Sequence, residues 1–471
     1  MKTKTLPFLF SLTFASYAAM SQSPYSQDRV YTANQVSNTV SVIDPSQNKL
    51  LGEIVLGKPF TNVLSPLYKG QALVHGLRHF QPKKLLAVVS IGSNSVTLIS
   101  TENNKVLKTI YVGRAPHEPT FTPDGKQLWI SVRGEAYISV IDVSKMQEVK
   151  RVPVADGPGM VSFTQDGKLA YVCSSFTPQV DIINTASFEV VKRIAVTSPF
   201  SPNIFTSPDG KWIAMTHKDS GKITVLSTKT MDVSKVVESG AVTNHVTFSV
   251  VNNTLLMLAT VGAENKVKIY DAQRDFTLIK TIEVGALPHG LWPSPDGKLL
   301  YVGLEFEDKV QAIDLQKMQV TSTIQIGQSP QALVYAGHAV TDTENREGLK
   351  MLSDTAATQV VMLKSLVKGD KASGRLSVRS IGLADLVEQN FSALKPGRSY
   401  TLALSRSTKA PYTADYEINS FKADDSGKYS GQSTGLVNTL TGSTDTQSYL
   451  HILLIDNSEK KTILLDNLFN G

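Results

Sequence analysis

Seven short strand-like runs along the chain each close on a polar residue, at Asp44, Ser100, Asp142, Asn184, Ser227, Asp271 and Asp314. The spacings between these positions are 56, 42, 42, 43, 44 and 43 residues. A unit of about 40–45 residues made only of strands cannot bury its own faces, so successive copies must stack on one another. The architecture this rhythm predicts is a β-propeller with one four-stranded blade per repeat.

Each repeat divides into four runs. The innermost reads PHEPTFT (116–122), GMVSFT (159–164), HVTFS (245–249) and PHGLWPS (288–294) in different copies. A residue pair that tolerates positive φ follows, Asp124-Gly125, Asp166-Gly167, Asp209-Gly210, Asn252-Asn253 or Asp296-Gly297, and such pairs close tight hairpins. Second runs such as QLWISV, third runs such as ISVID and fourth runs such as KTIYVG carry the β-branched and aromatic residues that suit a pleated, half-buried surface. The two ends fix the blade count. The first repeat opens on a second-strand run, VYTANQ (30–35), whereas a lone innermost run, SPQALVYA (329–336), follows the last full repeat. Three strands from the start and one from the end complete a seventh blade, and their pairing closes the ring without an exposed sheet edge.

The YTAN at 31–34, the VSVID at 40–44 and the recurring PDGK and TIxVG runs resemble the YVTN-type β-propeller repeat proteins over residues 30–336. The resemblance implies a seven-bladed propeller spanning 29–336. It implies no single function, since that family and its relatives include surface-layer proteins, exported proteins reported to bind DNA, and the propeller of nitrous oxide reductase.

Such a ring uses about 300 residues, and the chain has 471. Residues 337–348 are polar and without pattern, and read as a linker. Residues 349–471 hold short apolar or alternating runs such as SYTLALS and YLHILLID, with turns at Lys395-Pro396-Gly397 and Asp425-Ser426-Gly427. They predict a small C-terminal β-sandwich-like domain, so the expected fold class is all-β throughout.

At the start, Lys2 and Lys4, an apolar stretch from Leu6 to Ala15, and small residues before Ala18 or Ser21 read as a signal peptide over 1–21. The apolar stretch is well short of the roughly 20 residues that span a bilayer, and no later segment is apolar enough to span one. The expectation is an exported protein, periplasmic or secreted, with no transmembrane segment in the mature chain. Cys173 is the only cysteine, so no disulfide forms within the chain, and its surroundings, LAYVCSSF, supply no basic partner. It reads first as a small buried residue, with a catalytic thiol as the minor alternative. The formal charge of +6 falls by two when Lys2 and Lys4 leave, and the remaining cations are mixed with acids, which gives no support to nucleic-acid binding.

Stacking the repeats on their turns aligns one position near the start of each innermost strand: His75, His117, Gly159, Pro202, His245, His289 and Gln331. Innermost strands line a propeller's channel, so equivalent positions ring one mouth of it. Around the closed ring His245, His289, Gln331, His75 and His117 fall on five consecutive blades. This arc is a candidate site for a small or anionic ligand, or, through His75, His117, His245 and His289, for a metal such as Cu or Zn. An equally open reading has the imidazoles bonding channel water or neighbouring carbonyls. His79, four residues beyond His75, belongs on the same face and deeper in the channel, while Glu118 belongs on the face opposite His117. His217 reads as core packing, and His338 and His451 lie in the linker and tail, outside the arc. The insertion at 58–74 is expected to overhang the mouth, as longer loops on rigid scaffolds often do.

Through its resemblance to nitrous oxide reductase, whose propeller holds a copper cluster on a ring of histidines, the stretch PHGLWPSPDG (288–297) is similar to a ligand-bearing strand. Four histidines are fewer than that cluster uses, and the tail lacks the cysteines of a dinuclear copper site. The resemblance therefore leaves a mononuclear site and does not imply reduction of nitrous oxide.

No hydrolytic triad, phosphate loop, haem-attachment motif or catalytic carboxylate pair stands out. Three classes remain. One is an exported binding protein using the histidine-lined mouth, and the second is a metal-dependent periplasmic enzyme using the same arc. The third is a scaffold with an inert channel whose C-terminal domain binds a protein partner or the envelope.

Overall fold

The computed structural model describes residues 23–57, 72–352, 359–380, 384–441 and 449–466. The signal-peptide segment and nearly all of the insertion at 58–74 lie outside them. Seven four-stranded antiparallel sheets form the first part of the molecule. Blade 1 is assembled from both ends: Arg29–Asn34, Thr39–Asp44 and Lys49–Val55 are joined by Pro330–Ala336, with Val30 opposite Tyr335 and Thr32 opposite Leu333. Blades 2 to 7 open on Val74–Phe80, Pro116–Phe121, Pro158–Phe163, Ile204–Thr206, Thr243–Val251 and Pro288–Pro293. Each of these seven inner strands touches the inner strand of the blade before and after it, so the ring is closed.

Burial follows strand position. Second strands such as Leu85–Ser90 are buried at every residue, whereas the outer strand Lys105–Tyr111 is exposed except at Ile110. The apolar side chains of neighbouring blades interdigitate in the gaps between them. Trp129 of blade 3, fully buried, meets Phe163 and Phe188 of blade 4 with ring centroids 5.3 and 5.8 Å apart. Side chains of this size each contribute about 1.5–3 kcal/mol by leaving water.

The Asp-Gly turns work as read. In blade 3 the Gly125 amide donates to the Thr122 carbonyl, and the Thr122 hydroxyl donates to Asp124 Oδ1. Gly125 has φ +63°, and a Cβ there would strike the Phe80 ring of blade 2. Gly125→Ala is accordingly expected to cost about 1–2 kcal/mol, read as a lower urea midpoint at unchanged slope.

Residues 337–350 run as a strap rather than a free tether. Val340 N donates to Gln27 O, the Asn345 amide to Glu102 O, and the Asn104 amide to Glu347 O. Lys350 then pairs with Glu53 on the outer strand of blade 1. The C-terminal unit that follows is a single eight-stranded antiparallel sheet, and this is the form its sandwich-like sequence takes. Its order runs from Tyr416–Lys422 at one edge to Tyr429–Gly435 at the other. The sheet curls until those edges meet: the Asn419 amide donates to Tyr429 Oη, and the Phe421 and Tyr429 rings stack at 3.8 Å. Val361, Leu376, Phe391, Leu402 and Leu454 fill the space it encloses. Among the described residues no helix is long and apolar enough to cross a membrane.

Candidate ligand site at the channel mouth

Six of the seven inner strands open on a bulge, and in these the residue one past the first strand position reaches the channel mouth. In blades 2, 3 and 7 it is His75, His117 and His289, beside Val74, Pro116 and Pro288. Gly159 holds it in blade 4 and Gln331 in blade 1, whereas in blade 5 Pro202 precedes the unbulged strand Ile204–Thr206. Blade 6 departs from the sequence alignment. Thr243 pairs with Val261 and Val246 with Ala259, which puts Asn244 in the ring position and His245 one residue further down. The hydrogen bonds agree: the hydroxyls of Ser131 and Thr216 donate to the carbonyls of Gly159 and Asn244, the ring residues of the next blade. The physical reason is the turn. Blade 6 closes on the two-residue Asn252-Asn253 hairpin between Thr243–Val251 and Thr254–Val261, so its inner strand is one residue longer than a count back from the turn allows.

His245 nevertheless joins the arc, because its ring lies 4.9 Å from that of His289. His75 and His117 form a second pair, with centroids 4.5 Å apart. Gln331 stands between the pairs, its amide tied to Ser329 Oγ. All four imidazoles and Gln331 are buried to within a few per cent. Each pair brings two rings together, and among the described residues no group of three or more His, Cys, Asp or Glu side chains gathers closely enough to hold a metal ion.

The tautomers follow from the partners. His117 Nδ1 donates to the Gly159 carbonyl at 2.8 Å, and His289 Nδ1 donates likewise to the Gln331 carbonyl. A carbonyl only accepts, so Nδ1 carries the proton and Nε2 keeps its lone pair. His75 Nδ1 is buried without a well-formed bond, although the His117 carbonyl on that side raises its basicity slightly. Burial, reinforced by nearby cations, depresses all four: His75 and His245 fall to about 3, and His117 and His289 lie well below the usual imidazole range. These rings are neutral at physiological pH.

The nearby cations come from a second set of equivalent positions, the first residue past each blade's second strand. Arg133 follows Gln127–Val132, Lys218 follows Trp212–His217, and Glu305 follows Leu299–Leu304. Arg133 and Lys218 both depress His75, and Lys218 heads the charges acting on His245 and His289. Glu305 reaches to 4.0 Å from His289 Nε2 and draws Lys218 toward the charged form. Among the described residues neither Arg133 nor Lys218 has a carboxylate within the 4 Å of an ion pair; the Arg133 guanidinium instead lies over the Phe176 and Phe200 rings. Counting back from the turns did not reach these two cations, yet aligning the ends of the second strands finds them.

The eight-stranded sheet docks on the same mouth. Arg379, fully buried, donates from Nη2 to the Glu305 carbonyl at 2.7 Å and from Nε to Asp308 Oδ2 at 3.0 Å, and it also pairs with Glu388 of its own sheet. Ser377 Oγ donates to the Phe306 carbonyl, and the Asn390 amide to Asn265 Oδ1 of blade 6. The docked sheet thus fixes the loop that presents Glu305.

The remaining sequence candidates fall elsewhere. Glu118 is buried below the mouth against Gly76 of blade 2, whose missing side chain leaves it room. His79 lies at the far end of the channel beside Phe80 and Phe121. His217 is a core residue, bonded by Nδ1 to Ser201 Oγ and by Nε2 to Thr224 Oγ1. His338 meets Gln27, and His451 meets Asp466. Cys173 is buried, and burial holds its thiol protonated, pushed up to about 12.

A closed ring of seven four-stranded blades with a polar channel mouth defines a seven-bladed β-propeller protein, as the YVTN-type repeats implied. Residues 79–203 match the model of the YNCE-like beta-propeller family. No curated protein matches the chain. Among solved structures the chain is similar to the Kuenenia stuttgartiensis hydrazine synthase, with 18% identity over 58% of this chain and 92% of that one, at a TM-score of 0.52. A functionally unknown protein from Desulfotomaculum acetoxidans is 12% identical over 66% of this chain and 99% of that one, at a TM-score of 0.57. The dihydro-heme d1 dehydrogenase NirN, solved in complex with DHE, is 12% identical over 88% of this chain and 77% of its own, at a TM-score of 0.49. At these identities the likeness concerns the fold alone.

Proposed function

We propose that the protein is an exported binding propeller whose ligand sits at the upper mouth, between His75, His117, His245, His289 and Gln331 below and Arg133 and Lys218 above. The observation that carries this reading is the pair of cations, held beside the mouth with no ion-pair carboxylate among the described residues. Charged groups withdrawn from water require compensation, and an anion at the mouth supplies it. Neutral imidazoles that keep their Nε2 lone pairs accept hydrogen bonds, so the ligand also carries O–H or N–H groups. A small hydroxylated or aminated acid meets both demands.

The arrangement at His117 and His289 favours a second reading. Imidazoles that donate Nδ1–H to a backbone carbonyl and offer Nε2 are oriented as metal ligands are. A metal such as Cu or Zn, brought in with anionic ligands for Arg133 and Lys218, would use the same site in a binding or enzymatic role.

Protein purified from the compartment to which it is exported is to be analysed by native mass spectrometry and for metal, beside Arg133→Gln/Lys218→Gln and His117→Ala/His289→Ala variants. A co-purifying anion that the cation variant binds about 100-fold more weakly, at about 1.5–3 kcal/mol per lost charge-assisted contact, supports the first reading. Stoichiometric metal lost with the two histidines moves the assignment to the second. Neither species, even after loading with Zn or Cu, leaves the channel inert and turns attention to the C-terminal sheet as a protein-binding scaffold.

A further inference from the structure

The opposite mouth of the channel has a cavity of its own. It measures about 240 Å³ and is lined by Arg78, His79, Phe80, Thr120, Phe121 and Phe205, among others. Arg78 lies three residues down the inner strand from His75 and closes its inner end. The guanidinium carbon stands 5.0 Å from the Phe205 ring centroid and 4.5 Å from that of Trp292, so rings from blades 5 and 7 hold a side chain of blade 2 across the axis. Cation–π contacts of this kind hold a guanidinium by its face and leave its N–H edge free for an acceptor.

That edge is barely used. Its contacts with protein acceptors are long, from Nε to the Pro119 carbonyl at 3.4 Å and from Nη2 to Met160 Sδ at 4.0 Å. Among the described residues no carboxylate lies within ion-pair distance of it, although Glu118 acts on it from further off. His79 Nε2, on the cavity wall, is buried without a partner. A partly buried guanidinium with no carboxylate at ion-pair distance, an unpartnered imidazole nitrogen and the rings of Phe80, Phe121 and Phe205 meet here.

We infer that this lower mouth is a second binding site, built for a small carboxylate with a flat apolar body, the carboxylate engaging Arg78 and His79 and the body lying against the contacting Phe80 and Phe121 rings and Phe205. A planar fork of N–H donors matches a carboxylate in two parallel hydrogen bonds. The cavity is smaller than the 300–1,000 Å³ of drug-sized pockets, which sets the ligand at one ring and its acid group.

The test is calorimetric titration of the whole mature chain with benzoate, and with benzamide as its uncharged isostere. Benzoate is expected to bind, benzamide to bind at least tenfold more weakly, and Arg78→Met to lose at least 30-fold in benzoate affinity. Arg78→Lys keeps the charge but not the fork and is expected to lose about tenfold, which leaves the inference testable if the Met variant fails to fold. Lys218→Gln, which removes a cation of the upper mouth, is expected to leave the benzoate affinity unaltered. Absence of benzoate binding, equal binding of benzamide, or an unaltered affinity in both Arg78 variants overturns the inference. Loss of benzoate in Lys218→Gln also overturns it, by moving the acid to the upper mouth.

Discussion

Glu118→Gln is expected to make the protein more stable at alkaline pH and to change little near pH 4.5. Burial pushes the Glu118 carboxyl from 4.5 up to about 8, only partly relieved by Arg78, and its Oε1 has no hydrogen-bond partner. The sign follows from proton counting. Between pH 4.5 and 8 the unfolded chain releases this proton while the native protein keeps it, so native stability falls as pH rises, and above about 8 the loss is complete. The shift corresponds to at most about 5 kcal/mol, and a neutral glutamine of the same shape avoids it. Histidines act in the other direction. Burial lowers His75 and His245 to about 3 and His79 and His217 to about 4, so they withhold protons that the unfolded chain binds below about 6.5. Urea midpoints measured from pH 4.5 to 9 should therefore pass through a maximum in the wild type and lose their alkaline decline in the glutamine variant. Parallel curves for the two proteins would show that Glu118 ionises normally.

Arg379→Met is expected to release the C-terminal sheet from the propeller. Arg379 pairs with Asp308 across the interface and with Glu388 in its own sheet, and all three side chains are buried. Removing the cation strands two carboxylates out of water, at a cost of about 3–5 kcal/mol, whereas a compensated triple replacement by apolar side chains would be near neutral. Small-angle scattering should show a larger radius of gyration for Arg379→Met, and two separate melting transitions in place of one. The Glu305 loop loses its anchor in the same variant, so the anion proposed for the upper mouth should bind more weakly without any substitution there.

The sequence reading was most reliable where local chemistry repeats. Asp124-Gly125 and its four counterparts favour tight turns, and seven strand ends at nearly constant spacing leave few alternatives to a ring. The unpaired run at 329–336 told where that ring closes. Around the mouth, His117 and His289 were legible because their strands share one length between turn and ring. Asn244 was missed because its hairpin is built on two asparagines with a longer strand, which a count from the turn cannot detect. Arg133 and Lys218 lie far in sequence from the histidines whose basicity they lower, and only the register of the second strands relates them. The docking of the last sheet rests on Arg379, a residue whose neighbours in sequence, Val378 and Ser380, announce nothing about Asp308 seventy-one positions earlier.

The seam in blade 1 also sets a timetable. Val30 is among the first residues of the ring to be synthesised and its partner Tyr335 is the last but one, so no growing chain shorter than about 336 residues can complete the circle. Blades 2 to 7 are contiguous in sequence and can form as they emerge, but they must wait as an open arc with two unsatisfied edges. Closing it brings together segments some three hundred residues apart, the kind of distant pairing that makes folding slow. The native ring, and with it both mouths of the channel, therefore comes into being in a single late event.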